Sequence, residues 1–230
     1  MKIDRHGRAK IFTTEEIQLL FSEGFADNPF PDRDRALFGV CLYTACRINE
    51  ACTIKTNDVY NRKGIVRDQL IIRKSSTKGK LATRTIPIIE DLRLLLVKYF
   101  PTPRTYNLFS GRGAKGHINP DYAAQILRKA CYKLGLEGVS THSFRRTALT
   151  QMSSAGIPLR VIQEISGHRT LDELQKYLEV SEEQVRGAVA SLTMISHLGK
   201  PAYHEITNIP FELKESNLNL EDNVSKYSID

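Results

Sequence analysis

Apolar residues recur at helical spacing along most of the chain. Thr13-Thr14-Glu15-Glu16 has the form of a capping box and precedes an apolar helical pattern, which predicts a first helix that stops at residues 28–31. A second helical run begins at Asp32 and, after a break, continues past Arg47, which therefore lies at a helix junction. Further helices are predicted over residues 90–100, 120–134, 142–155, 158–166, 171–178 and 182–194.

Two short segments have strand character instead. Residues 69–74 and 83–88 are rich in β-forming side chains and flank the turn-rich residues 75–80, so they predict a β-hairpin. The last thirty residues show no sustained period and are expected to be disordered or an extended arm. We therefore predict an α+β fold, mainly helical, with a small antiparallel β-sheet inserted between helices. The folded domain should span residues 1–195, and residues 196–230 should form a C-terminal tail that is disordered or docks on a partner.

The charge of the chain points to an anionic partner. Lys and Arg total 33 against 26 Asp and Glu, and residues 201–230 contribute two basic and six acidic side chains, so residues 1–200 carry 31 minus 20, or +11. A folded domain with this net positive charge attracts polyanions, of which nucleic acid is the most abundant inside cells. Solvated lysine surfaces are also common, so charge alone does not decide the function.

Other classes of protein fit less well. No segment approaches the roughly 20 apolar residues of a membrane span, and the N-terminus lacks the apolar centre of a secretory signal, so we expect a soluble, cytoplasmic protein with no membrane partner. The cysteines form no CxxC pair and are interpreted as structural thiols rather than zinc ligands or disulfides: Cys41, Cys46, Cys52 and Cys131. Neither a metal nor a cofactor is expected.

A set of polar side chains could together hold a phosphodiester and attack it: Arg47, Lys78, His142, Arg145, His168 and Tyr177. Each has an ordinary explanation when taken alone. Arg47 could pair with Glu50 one helical turn away, and Tyr177 could pack in a core. His142 and Arg145 are three residues apart, which puts both on one side of a helix and turns Phe144 towards the core.

Order and spacing distinguish this set. The motifs follow in a fixed order: Arg-x-x-Glu, a lysine in a hairpin turn, His-x-x-Arg, Gly-His and a tyrosine nine residues after that histidine. This arrangement resembles the tyrosine recombinase and phage integrase family, over about residues 10–195. The resemblance implies the fold of that family's catalytic domain. It also implies double-stranded DNA as substrate, a homo-oligomer on DNA, nucleoid association when bound, and a 3′-phosphotyrosyl intermediate formed by Tyr177.

The chemistry of phosphodiester cleavage suggests a role for each residue. Arg47 and Arg145 would neutralise the nonbridging oxygens of the transition state, with Glu50 positioning Arg47. His142 would accept the tyrosine proton, and Lys78 would protonate the leaving 5′ oxygen as general acid, although Lys74 and Lys80 lie near the same turn. His168 would donate a hydrogen bond to a phosphate oxygen.

The sequence also departs from the family pattern. Ala45 stands where glycine is usual before Arg47 and is expected to alter only close packing, Phe144 and Arg146 replace Leu and His, and Ser166 replaces a common Leu. None of these changes removes a catalytic group. Residues 1–12 leave no room for the helical DNA-clamping domain that usually comes first, so we expect a fragment or a minimal member.

Three other functions are considered. A type IB topoisomerase-like enzyme would use the same residues but reseal the same strand, and a non-catalytic DNA-binding protein could keep the fold without the reaction. A hydrolytic phosphodiesterase would need a metal or a water-activating carboxylate, which the residue set does not clearly offer. The target sequence and the biological task, whether integration, excision, resolution or inversion, are not encoded in these motifs.

Overall fold

The computed structural model describes residues 9–76, 82–100, 105–111, 113–114, 116–175 and 182–192. Within these ranges the chain is mainly helical, with one two-stranded antiparallel sheet. The elements are α1 Thr14–Leu19, α2 Pro31–Tyr43, α3 Ile48–Cys52, β1 Gln69–Ile72, β2 Arg84–Pro87, α4 Glu90–Tyr99, α5 Pro120–Lys133, α6 Thr141–Ser154, α7 Leu159–Ser166, α8 Leu171–Gln175 and α9 Glu182–Ala190. The predicted α+β class and the hairpin between helices are confirmed.

The first helix begins as its capping box predicts and ends differently. Thr13 accepts a hydrogen bond from the Glu16 backbone, and the Glu16 carboxylate accepts one from the Thr13 backbone. At its other end α1 passes into a π-helical turn, Leu20–Gly24, which the sequence pattern did not predict. Regular structure thus stops before Asn28, and Pro31 opens α2 because a proline in the first turn has no backbone donor to satisfy.

The hairpin sets which side chains of its strands point inwards. β1 and β2 pair with Leu70 opposite Ile86 and Ile72 opposite Arg84. Leu70, Ile72 and Ile86 are buried, so Arg84 lies on the inward side of the sheet. The strands are shorter than predicted because Lys74–Ser76 form a 3₁₀ turn instead of continuing β1.

Phe144 anchors α6 in the main core. Its ring is fully buried and stacks on Phe38 at 5.2 Å between centroids, and it lies at the same distance from the ring of Phe12. This burial confirms the predicted inward direction of Phe144. Because His142 and Arg145 flank it in sequence, the aromatic packing fixes how α6 presents these two residues.

A second, smaller cluster joins α6 to α7 and α8. It consists of Ala45, Ala148, Leu149, Ile162 and Leu174, with Met152, Leu159 and Ile165 packed against it. This cluster packs α7, which Gly167 and His168 follow, against the second half of α6, the helix that carries Arg145.

Three further features concern the chain more broadly. The chain divides into two units, Met1–Gly187 and Ala188–Asp230. The predicted boundary at residue 195 stays a prediction, since residues 193–230 lie outside the described ones. All four cysteines are buried free thiols, as the interpretation as structural thiols expects. None of the helices in the described ranges combines the length and apolarity needed to cross a bilayer.

Replacing Phe144 tests the aromatic anchor. Phe144→Ala should lower the free energy of unfolding by about 3–5 kcal/mol, because it removes a fully buried ring and leaves a cavity, whereas Phe144→Leu should cost less than about 1.5 kcal/mol. Urea denaturation followed by circular dichroism measures both. Equal, small losses for the two variants would show that the ring does not anchor α6.

Candidate active site

Arg47 lies at the junction that the sequence predicts, immediately before α3. Its backbone N–H donates to Glu50 Oε2 at 2.9 Å, and its guanidinium Nη1 lies 3.6 Å from Glu50 Oε1. The Glu50 side chain is almost completely buried, whereas that of Arg47 is partly exposed. Glu50 therefore holds Arg47 from both backbone and side chain and leaves part of its guanidinium open to solvent.

Arg84 shares the same carboxylate. Its Nη2 donates to Glu50 Oε2 at 3.0 Å, and only 9% of its side chain is exposed. The buried Glu50 carboxylate thus lies between two guanidinium groups, one from the start of α3 and one from β2. Burying a carboxylate is costly unless charge and hydrogen bonds compensate, and these two arginines supply both.

Arg145 is the largest fully buried side chain, with 1% of its surface exposed. Its Nη1 donates to the backbone carbonyls of Ala45 and Ser166, the latter at 2.9 Å, and its Nη2 contacts the His168 ring at 2.9 Å from Nε2. Its Nε is buried without a hydrogen-bond partner. Burial, and then the charge of Arg47, lowers the pKa of Arg145 to about 10, which still leaves it protonated at neutral pH.

His168 follows Gly167, whose left-handed backbone ends α7. Arginine can only donate, so Nε2 of His168 accepts the bond from Arg145, and Nδ1 carries the proton and donates to Ser166 Oγ at 2.8 Å. Burial lowers the pKa of His168 to about 3, with further lowering by Arg145, Arg47 and Arg84. Both observations describe a neutral imidazole.

His142 is the second residue of α6, and its side chain is exposed. Partial removal of the imidazole from water lowers its pKa, and the positive charges of Arg145 and Arg47 lower it further. The unprotonated form that a general base needs is therefore favoured near neutral pH. His142 lies three residues before Arg145 on α6, which places both on the same side of that helix.

The structure thus brings Arg47, Glu50, His142, Arg145 and His168 into one region. Lys78 and Tyr177 lie outside the described residues, as does Lys80. Sequence reasoning missed Arg84, although a charged residue opposite buried Ile72 on the inward face of a strand requires a buried partner.

Ser166 has a larger role than its sequence position indicates. It stands where a leucine is common, yet its hydroxyl binds His168 Nδ1 and its carbonyl accepts from Arg145. Gln163, one turn earlier in α7, donates to the His168 carbonyl at 3.1 Å. The last turn of α7 therefore fixes both the position and the tautomer of His168.

The expectation that Ala45 alters only close packing is wrong. Its φ is +48°, which makes it the sole non-glycine residue with a positive φ in the part of the chain that the structure describes. A left-handed conformation is costly for a side chain with a Cβ, so alanine adds backbone strain at a position where glycine would have none. The strain directs the Ala45 carbonyl towards Arg145.

Comparisons with known proteins bear on this arrangement. The chain matches the model of the phage integrase family over residues 10–184. The curated tyrosine recombinase XerA of Pyrococcus furiosus is 31% identical over 194 residues, which cover 82% of this chain and 64% of the relative. The chain thus spans less than two thirds of that protein.

Solved structures show the same fold. The catalytic domain of bacteriophage HP1 integrase matches 84% of this chain and 100% of its own length, with a TM-score of 0.60 and 20% identity. XerH site-specific recombinase, in a post-cleavage complex with its palindromic difH substrate, matches 80% of this chain and 53% of its own, with a TM-score of 0.63 and 19% identity. At these identities the likeness establishes the fold.

The low pKa of His168 predicts acid sensitivity. Unfolded chains take up a proton on His168 near its ordinary pKa of 6.5, whereas the folded protein does so only near 3, so the free energy of unfolding should fall as the pH drops through this window. The slope for one proton is at most about 1.4 kcal/mol per pH unit. Urea denaturation at several pH values measures it.

The control for this slope is the second histidine. His168→Gln should flatten the pH dependence, while His142→Gln should leave most of it, since the His142 ring is exposed and that of His168 is enclosed. The ring of His168 can also be followed directly by NMR. A titration of that ring near pH 6.5 would contradict a buried, neutral imidazole.

Substitutions at Ala45 test the strained backbone. Ala45→Val should cost about 2 kcal/mol or more, because a β-branched side chain disfavours the left-handed region, while Ala45→Gly should stay within about 1 kcal/mol of the parent. Ala148→Val is the matched control, since it adds the same methyl groups to the same cluster from a helical backbone. Thermal unfolding distinguishes them, and equal costs for the two valine variants would refute the strain.

Proposed function

This chain belongs to the phage integrase family, and on that premise we propose that it is a site-specific DNA recombinase which cleaves and rejoins duplex DNA through Tyr177. The observation that carries the proposal is the buried Arg145 guanidinium beside Arg47, with an Nε that has no hydrogen-bond partner. An unsatisfied buried donor is costly to a fold, and an incoming phosphate would satisfy it.

The charge balance of the region supports the same conclusion. Within the described ranges, Glu50 is the carboxylate that pairs with Arg47 and Arg84, Arg145 adds a third cation, and His168 is neutral. Three cations against one anion leave a net positive charge of two in a partly water-excluded region. Such a surplus destabilises the free protein and attracts a phosphodiester, whose charge grows further in the pentavalent transition state.

The proposed reaction assigns a role to each residue. The Tyr177 oxygen attacks phosphorus while its proton passes to His142, whose lowered pKa favours the accepting form. Arg47 and Arg145 stabilise the nonbridging oxygens. The bond from phosphorus to the 5′ oxygen breaks, and Lys78 supplies the proton to that oxygen. A 3′-phosphotyrosyl bond and a free 5′ hydroxyl result, and the reverse sequence joins a new strand.

His168 requires a change of partner to donate a hydrogen bond to the phosphate. In the DNA-free protein its Nε2 accepts from Arg145 Nη2. We propose that Nη2 of Arg145 turns to a phosphate oxygen when DNA binds, which frees Nε2 to take up a proton and donate in turn. The Ser166 hydroxyl can accept from Nδ1 in both states, so the ring keeps its position.

Double-stranded DNA is the proposed substrate, and a homo-oligomer assembled on it is the proposed active form. Exchange of strands, unlike simple resealing, needs more than one active site on paired sequences. Residues 196–230 are proposed to contribute to that assembly as a segment that docks on a neighbouring protomer. Phosphate contacts supply the sequence-independent part of DNA affinity, so binding should weaken steeply as salt increases.

A covalent adduct tests the reaction whatever the target site is. The protein is incubated with a library of nicked duplexes that carry randomised flanks, and denaturant-resistant adducts are isolated and sequenced. The parent should form adducts that converge on one sequence, because the nick lets the 5′ fragment escape and traps the intermediate. Tyr177→Phe should abolish them, since it removes the attacking oxygen.

Tyr132→Phe is the matched control, because Tyr132 is 90% exposed on α5 and should not affect the yield. Adducts that persist in Tyr177→Phe would overturn the assignment of the nucleophile. A folded parent protein that yields no adduct from the library would overturn the proposed reaction.

A further inference from the structure

We propose that Arg84 is a positioning residue for the phosphate site, and that it holds the Arg47–Glu50 pair and the Gly167–His168 turn in fixed relation to each other. The inference rests on the proposed function for its catalytic consequence, while the contact itself is a property of the protein without DNA. Arg84 does this from β2, so the hairpin becomes part of the architecture of the site.

The first half of the contact is electrostatic. Arg84 Nη2 donates to Glu50 Oε2 at 3.0 Å, and the same oxygen accepts the Arg47 backbone N–H. Without Arg84, the nearly fully buried Glu50 carboxylate would be neutralised by Arg47 alone. Glu50 would then draw the Arg47 guanidinium inwards, away from the solvent side where a phosphate arrives.

The second half of the contact is steric. The Arg84 guanidinium packs so closely on the backbone of Gly167 that a Cβ built there would lie 1.7 Å from Nη1 and 2.5 Å from Cζ. Gly167 also has a φ of +65°, so this position needs glycine for two separate reasons. The turn that carries His168 therefore packs directly against Arg84.

Size and charge are both needed for this role. A planar guanidinium can donate to Glu50 through one nitrogen and pack against the Gly167 peptide with the rest of its plane. A lysine ammonium can neutralise Glu50 but cannot reach Glu50 and Gly167 together. Arg84 also contributes to the lowered pKa of His168. The residue therefore acts on both arms of the site through Glu50 and Gly167, without needing to touch DNA.

A double-mutant cycle tests the steric contact. Gly167→Ala should lower the melting temperature by at least about 5 °C more than Gly156→Ala, a helix-terminal glycine with a φ of +73° and open space around its Cβ position. Both changes impose the same left-handed strain, so the difference measures the collision with Arg84. In an Arg84→Ala background the excess cost of Gly167→Ala should disappear. An excess that is unchanged in that background would overturn the contact.

The positioning role is tested by the His168 ring and by cleavage. Arg84→Gln should raise the pKa of His168, which NMR measures. It should also slow adduct formation by about tenfold or more without changing the affinity for DNA. Arg84→Lys should give values between those of the parent and of Arg84→Gln. Arg33→Gln is the matched control, since Arg33 is 12% exposed and pairs at 2.7 Å with the buried Asp34. It removes a comparable ion pair and should leave the His168 pKa and the cleavage rate unchanged.

The outcomes separate the two proposals. If the parent forms no adduct, the proposed function fails, while the cycle and the histidine titration still decide the contact of Arg84. If Arg84→Gln does not fold, Arg84→Lys carries the test, because its ammonium keeps the charge but cannot reach both Glu50 and Gly167, and adduct formation should still slow. A parent-like His168 pKa and cleavage rate in folded Arg84 variants would overturn the positioning role.

Discussion

The site depends on the ion pairing of one buried carboxylate. Glu50 accepts hydrogen bonds from the Arg47 backbone and the Arg84 side chain, and its other oxygen faces the Arg47 guanidinium. Without that negative charge, mutual repulsion would oppose bringing Arg47, Arg84 and Arg145 together in a region shielded from water. With it, the region keeps a surplus of positive charge that is tolerable in the free protein and suited to a phosphodiester.

Backbone carbonyls, rather than a carboxylate, hold the third arginine of the site. Arg145 has no carboxylate in direct contact within the described chain and is held instead by the carbonyls of Ala45 and Ser166 and by a neutral His168 ring. Carbonyl dipoles solvate a guanidinium without cancelling its charge, so Arg145 stays buried, positioned and cationic. The left-handed backbone at Ala45 and at Gly167 aligns these partners, and the strain at Ala45 is located next to the guanidinium that its carbonyl orients.

The two histidines share an electrostatic environment but differ in exposure. Both have lowered pKa values because water is partly excluded and guanidinium charges lie nearby. His142 is exposed and available to exchange a proton with an incoming nucleophile, whereas His168 is enclosed by Arg145 and Ser166. One kind of side chain is thus suited to the two different tasks proposed for it, and the fold distinguishes the two histidines by burial rather than by sequence context.

Much of this protein was determined by its sequence alone. The capping box at Thr13, the junction at Arg47 and the inward direction of Phe144 are local consequences of side-chain chemistry and periodicity, and each was predicted correctly. The set of Arg47, Glu50, His142, Arg145 and His168 was proposed from order and spacing, and its catalytic role stays a prediction.

Tertiary structure decided what spacing cannot express. The roles of Arg84 and Ser166, the positive φ of Ala45 and the π-helical turn after α1 arise from contacts between segments far apart in the chain, such as residues 50 and 84 or 45 and 145. Local patterns carry no information about which distant carbonyl or carboxylate a buried guanidinium will meet. That choice depends on how helices and the hairpin pack, because a buried charge must find its partners within a few ångströms wherever the chain supplies them.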